Sequence, residues 1–104
     1  MPSVFRALSD PTRRRVLQLL RTRPMTAGEL ADHFAVSKPT MSAHFNVLLA
    51  ADLIAADKVG RTITYRLKLS VLEEALLEFT QAFGLTVTEA PAATPDSDAP
   101  AEDT

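Results

Sequence analysis

The sequence predicts a mainly α-helical domain with one small β-hairpin (α+β), in the order α-α-α-α-β-β-α. Three observations predict it. Helix-start signals stand at Asp10-Pro11, Thr26, Ser37 and Ser70; apolar residues recur every three or four positions after each; and one stretch, Thr62 to Leu67, alternates with period two. At 104 residues the chain suits one small domain with a short tail and leaves little room for multidomain catalysis. So short a helical chain hides a modest fraction of its surface, which makes pairing with a second copy an expected source of stability.

Pro2 to Leu8 opens as a short helix with Val4, Phe5 and Leu8 on one face. Asp10 caps the next helix, because its carboxylate accepts amide protons while Pro11 occupies the first turn, where a missing N–H costs nothing. That helix runs to about Thr22, burying Val16, Leu17, Leu19 and Leu20, with Arg13, Arg14 and Arg15 mostly on the other side and Pro24 as the stop. Thr26 and Glu29 form a capping box, so a third helix runs from Ala27 through Phe34, with Leu30, Ala31 and Phe34 inward. After a tight connection at Ala35-Val36, Ser37 caps a fourth helix, SKPTMSAHFNVLLA, in which Pro39 falls within the first turn. Two short helices and one brief turn have helix-turn-helix spacing. Residues 53–67 read as a hairpin turning near Gly60, where a positive φ is cheap, with Ile63, Tyr65 and Leu67 facing the core. Ser70 and Glu73 read as a capping box for a last helix to about Phe83, whose Leu72, Leu76, Phe79 and Phe83 are spaced by 4, 3 and 4. With Val4, Phe5 and Leu8, that stripe is the expected homodimer seam.

The net charge of −2 conceals a segregation. Residues 1–72 hold all 11 Lys and Arg against five acids, a net +6, whereas residues 73–104 hold eight acids and no base. Only the front part suits a polyanion. The domain is expected to span residues 1–84. Residues 85–104, rich in Ala, Pro and acids, lack the apolar surface needed to offset ordering entropy and read as a disordered tail. Cysteine is absent, which removes disulfides, thiolate metal sites and a Cys nucleophile. The opening MPSVFRALSD has no apolar signal-peptide core, so a soluble cytoplasmic protein is expected.

The fourth helix carries the candidate site. On a helical wheel Met41, Phe45 and Leu48 fall within about 40° of one another and anchor it inward. Pro39, Thr40, Ala43, Asn46 and Val47 then face outward, flanked by Lys38, Ser42 and His44. A merely solvated helix more often displays Glu and Lys, whereas this face is small, polar and nearly free of acid, which suggests a surface that another molecule approaches closely. Lys58 and Arg61 stand at the hairpin tip.

The run ALSDPTRRRVL from Ala7 to Leu17, Glu29-Leu30-Ala31, SKPTMSAHFNVL from Ser37 to Leu48, and the segment Gly60-Arg61 with Tyr65-Arg66-Leu67 together resemble the ArsR/SmtB family of winged-helix bacterial repressors. The resemblance covers about residues 3 to 83 and is most like the SdpR-type autorepressors without a metal site. Asp52, where many relatives have Gly, and Phe45, where Leu is usual, depart from the pattern. The resemblance implies a winged helix-turn-helix homodimer and a membrane-bound signal protein as a sequestering partner. The family's sensory sites lack their ligands here: the third helix has no cysteine and the last has no histidine. His33 and His44, 11 residues apart without companion ligands, do not suggest a metal site, and no cofactor is expected.

The function these readings imply is a sequence-specific DNA-binding transcriptional regulator, a homodimeric repressor, of its own promoter if the autorepressor likeness holds, on an inverted-repeat operator. Ser37 and Lys38 would meet phosphate or a guanine edge; Thr40, Ser42, His44 and Asn46 offer hydrogen-bonding groups; Pro39 and Ala43 can meet thymine methyls. Lys58, Arg61 and Thr62 would reach the flanking backbone or minor groove. The alternative is a winged-helix protein–protein interaction module using the last helix or the acidic tail, which would lack the salt dependence of a DNA reader. An enzyme is not expected, for the chain has no Gly-rich phosphate loop and no nucleophile in motif context.

Overall fold

In the computed structural model, which describes residues 2–85, the elements follow as α1 (Pro2–Leu8), α2 (Pro11–Leu20), β1 (Met25–Thr26), α3 (Ala27–Ala31), α4 (Lys38–Ala50), β2 (Ile54–Val59), β3 (Thr62–Leu67) and α5 (Leu69–Ala82). The predicted tail from 86 onward lies outside the described residues. Leu85, read from composition as the first residue of that tail, donates its N–H to the Thr80 carbonyl at 2.7 Å and so closes the end of α5.

The start signals mostly act as expected. Asp10 accepts from the Arg13 N–H at 3.1 Å ahead of Pro11, and Thr26 and Glu29 make both bonds of their capping box. α2 stops at Leu20 rather than Thr22. α3 also ends early, at Ala31: His33 and Phe34 bond to carbonyls three residues back, so the helix tightens into a turn before reaching Phe34. At α5 the Ser70–Glu73 box is not formed. The helix already begins at Leu69, with Lys68 at the cap position and no side-chain cap bond, because β3 leads directly into it and the Lys68 N–H is held by the Leu53 carbonyl at 2.8 Å.

The sheet has three strands, one more than the hairpin the sequence predicts. β1 pairs antiparallel with β3 through Met25↔Tyr65 and Thr26↔Thr64, giving the order β1-β3-β2. The hairpin itself is in register from Ile54↔Leu67 to Val59↔Thr62. Its two central residues are Gly60, with φ of 61°, and Arg61, whose φ is not positive, the pattern of a type II′ turn.

Leu30, Met41, Leu48, Leu53, Ile54 and Val16 are the largest side chains sealed from solvent. α4 packs on α1, α2 and β2, and Phe45 lies against Tyr65 with ring centroids 4.7 Å apart. Burial of each such side chain contributes about 1.5–3 kcal/mol. That commits the inner face of α4 to the core and fixes which face remains outside.

Both α4 and α5 end in a Schellman motif. In α5 the left-handed residue is Gly84, φ 67°, with Gly84 N bonded to Gln81 O and Leu85 N to Thr80 O. In α4 the same bonds run from Asp52 N to Leu49 O and Leu53 N to Leu48 O, with Asp52 at φ 61°. Aspartate tolerates that region better than most residues, and its carboxylate accepts from Lys68 Nζ at 2.7 Å. Asp52→Ala should therefore cost about 1 kcal/mol, whereas Asp52→Gly, which relieves the backbone but removes an exposed ion pair, should change stability by less than about 0.5 kcal/mol, as chemical denaturation would measure.

Candidate nucleic-acid interface

The Ser37 hydroxyl accepts from the Thr40 N–H at 3.3 Å and donates to the Thr40 Oγ1 at 2.9 Å, fixing the first turn of α4. Thr40 still has its own hydroxyl proton to donate outward. Beyond it Lys38, Pro39, Thr40, Ser42, Ala43 and Asn46 are all exposed. Val47, on the same side, is half-buried and packs against the core. The two flanks of this face differ. Lys38 and Ser42 turn toward α3 and line a cleft of about 240 Å³ with Ala27, Gly28 and Ala31.

His44, on the other flank, does not stand with the outward residues. Its side chain is 15% exposed, and Arg13 Nη1 donates to its Nδ1 at 3.2 Å. The same guanidinium donates to the Ala7 carbonyl at 2.8 Å and the Arg6 carbonyl at 2.9 Å, and Arg14 donates to the Leu8 carbonyl at 2.8 Å. Arg13 thus satisfies the open end of α1 and ties it to α2 and α4. The sequence offered no signal for this contact.

Asp10 completes that cluster, with Oδ2 3.9 Å from His44 Nδ1. Partial burial raises its pKa, but the backbone N–H groups of Arg13 and Thr12 outweigh it and leave the carboxyl below its ordinary 3.8. A depressed carboxylate stabilises the fold fully above its unfolded value and ceases to do so as pH falls through the folded one. Asp10→Ala should cost about 0.5–2 kcal/mol near neutral pH, and that difference should shrink in acid below pH ~4 when both proteins are unfolded by urea across a pH series.

At the wing, Lys58, Arg61 and Thr62 are exposed. Asp57 is engaged by Arg66 at 3.3 Å, and among the described residues no ion pair involves Lys38, Lys58 or Arg61. Those three cations remain available to an external anion.

The predicted seam divides in two. Val4, 3% exposed, belongs to the chain's own core, and Leu8 and Leu72 are half-buried against it, so Val4 is withdrawn from the contact surface. The exposed part is Leu76, Phe79 and Phe83, with Phe5 half-buried beside Phe79; Leu77, outside the four-three spacing, is exposed as well. The Phe5 and Phe79 rings lie 5.3 Å apart and those of Phe79 and Phe83 4.9 Å apart. Among the described residues no three His, Asp or Glu side chains are grouped to hold a metal ion, and no helix is long and apolar enough to cross a membrane.

Residues 8–55 match a family model described as a helix-turn-helix domain. The chain is 46% identical over 76 residues to the transcriptional repressor SdpR of Bacillus subtilis, covering 73% of this chain and 84% of that protein. It is 33% identical over 73 residues to the arsenical resistance operon repressor of Staphylococcus xylosus, covering 70% of each. A solved ArsR-like transcriptional regulator from Rhodococcus sp. RHA1 superimposes with a TM-score of 0.69 at 36% identity, covering 80% of this chain and 77% of that one. With the helix-turn-helix, the three-stranded sheet and its wing in the same chain, this protein belongs to the ArsR family of winged helix-turn-helix transcriptional repressors.

Proposed function

We infer that two copies of the chain pair through α5 and Phe5 and repress transcription by occupying an inverted-repeat operator. Each copy lays the outer face of α4 in a major groove, with centres about 34–36 Å apart, one helical turn. The observation that carries this reading is the exposed, acid-free row Lys38, Pro39, Thr40, Ser42, Ala43 and Asn46 beside the uncommitted cations of the wing. Short side chains allow α4 to approach base edges closely. Thr40, Ser42 and Asn46 supply donors and acceptors, while Pro39 and Ala43 meet thymine methyls. The amide end at Ser37 and the charges of Lys38, Lys58 and Arg61 bind phosphates, which set position rather than sequence. His44 acts from within, holding α4 against α2. The named functions of the relatives support repression as the direction of control.

Binding to duplexes from the DNA upstream of its own reading frame, compared with a scrambled duplex over a salt series, tests the reading. The logarithm of affinity should fall linearly with that of salt, with a slope of about −0.9 per phosphate neutralised, and the upstream duplex should bind at least about 10³-fold more tightly than the scrambled one. Equal affinity for both would refute sequence-specific repression of its own promoter.

A further inference from the structure

α2 sets Arg14, Gln18 and Arg21 at spacings of four and three, so they share one helix face, away from the buried Val16 and Leu20. That face rims a trough of about 220 Å³, walled otherwise by Leu8 of α1, Leu17 of α2, Leu67 of β3 and Leu69 and Leu72 of α5. Leu17 is buried, whereas Leu69 stands 46% exposed. The lining holds no acid, and among the described residues neither Arg14 nor Arg21 enters an ion pair. Arg14 donates one N–H to the Leu8 carbonyl at 2.8 Å, which fixes its guanidinium at the trough and leaves further N–H groups to donate. An apolar wall with a guanidinium rim suits a strand that carries carboxylates between small apolar residues. Neither arginine takes part in the DNA reading above.

We propose that the chain's own acidic segment, residues 86–104, lies along this trough with its carboxylates on Arg14 and Arg21, and so ties α5 to α2. The segment carries Glu89, Asp96, Asp98, Glu102 and Asp103, no Lys or Arg, and mostly Ala, Pro and Thr between them. It is also long enough. The 14 residues of α5 rise about 21 Å, a distance that about seven extended residues cover on the way back, which leaves Asp96 and Asp98 still to place. Those two stand about 7 Å apart in an extended chain, and the stems of Arg14 and Arg21 about 10 Å apart on α2, a difference that long guanidinium side chains close. Exposed ion pairs are weak one by one, but a tethered segment meets its site at a local concentration of about millimolar, so a few of them hold it. A second copy is the poorer occupant, because the exposed stripe Leu76, Phe79 and Phe83 brings no anion to the arginines. The cations of α4 and the wing compete less well for the segment, since Lys38, Lys58 and Arg61 stand on separate elements whereas Arg14 and Arg21 share one face beside five leucines.

The absence of cysteine allows a clean test: Ser97→Cys in the full chain, without DNA, takes a single nitroxide label between Asp96 and Asp98. In NMR spectra the amides of Arg14, Gln18, Arg21, Leu69 and Leu72 should lose intensity relative to the reduced label, while those of Lys38, Lys58 and Arg61 keep theirs. The loss should reverse in about 1 M salt, where screening acts within about 3 Å. It should also reverse when Asp96→Asn and Asp98→Asn are added to the labelled chain, a change outside the folded core, and when Arg21→Glu is made, with circular dichroism checking that the helices persist. Loss of intensity at α4 and the wing instead, or at no part of the domain, would overturn the proposal. Loss at the trough that survived both salt and the two Asn substitutions would overturn it too, since charge would then not be what seats the segment.

Discussion

Phe79→Glu is expected to leave the protein monomeric and to lower its affinity for an inverted-repeat operator by about 10²–10⁴-fold, the advantage that a tethered second half-site confers. Phe79 sits in the middle of the open stripe, 42% exposed, with its ring against Phe5 on one side and Phe83 on the other. The core contact of α5 is made by Ala75, with Val71 and Leu72 packed beside it, so a charge at position 79 leaves the helix seated while opposing its burial against a second copy. Analytical ultracentrifugation gives the mass, circular dichroism confirms that the helices persist, and fluorescence anisotropy gives the affinity. A variant that remained dimeric and bound as before would place the seam elsewhere.

Ala43→Glu should abolish recognition with little effect on the fold. Ala43 is exposed at the centre of the outward face of α4, away from Met41, Phe45 and Leu48, and glutamate is a good helix former. In the groove, the longer side chain keeps α4 from the base edges and sets a carboxylate among phosphates, a juxtaposition costing several kcal/mol. The operator affinity should drop by at least about 3 kcal/mol while stability changes by less than about 0.5 kcal/mol. Measured side by side with Phe79→Glu, this variant should remain a dimer, which separates loss of groove contact from loss of pairing. Full affinity in Ala43→Glu would show that another surface meets the DNA.

The parts of the fold that were legible in the sequence are those where burial or a cap imposes a local pattern. Met41, Phe45 and Leu48 mark the inner face of α4 through their spacing alone, and Asp10-Pro11 and the Thr26–Glu29 box start their helices where the residue chemistry requires. What stayed hidden depends on partners distant in the chain. β1 is two residues long, too short for any period, and exists through its pairing with β3 some 40 positions later. Ser70 and Glu73 have the right spacing for a cap, but the chain arriving from β3 is already helical at Leu69. The wheel gives the angle of His44 but not its neighbours, and Arg13, 31 residues away, turns it into a structural latch. Val4 likewise shares a face with Phe5 by period, although only the packing of the whole domain decides that Val4 is sealed inside while Phe5 remains half open.

Selection of the full chain against a library of random duplexes, followed by footprinting and mass measurement of the recovered complex, shows whether paired copies read an inverted repeat. Two chains should occupy an enriched inverted repeat with half-site centres about 10–10.5 base pairs apart, and protection should extend outward on both sides where the wings lie. One chain on a single asymmetric site, or no enriched sequence at all, would mean that the protein does not act as a symmetric, sequence-specific pair.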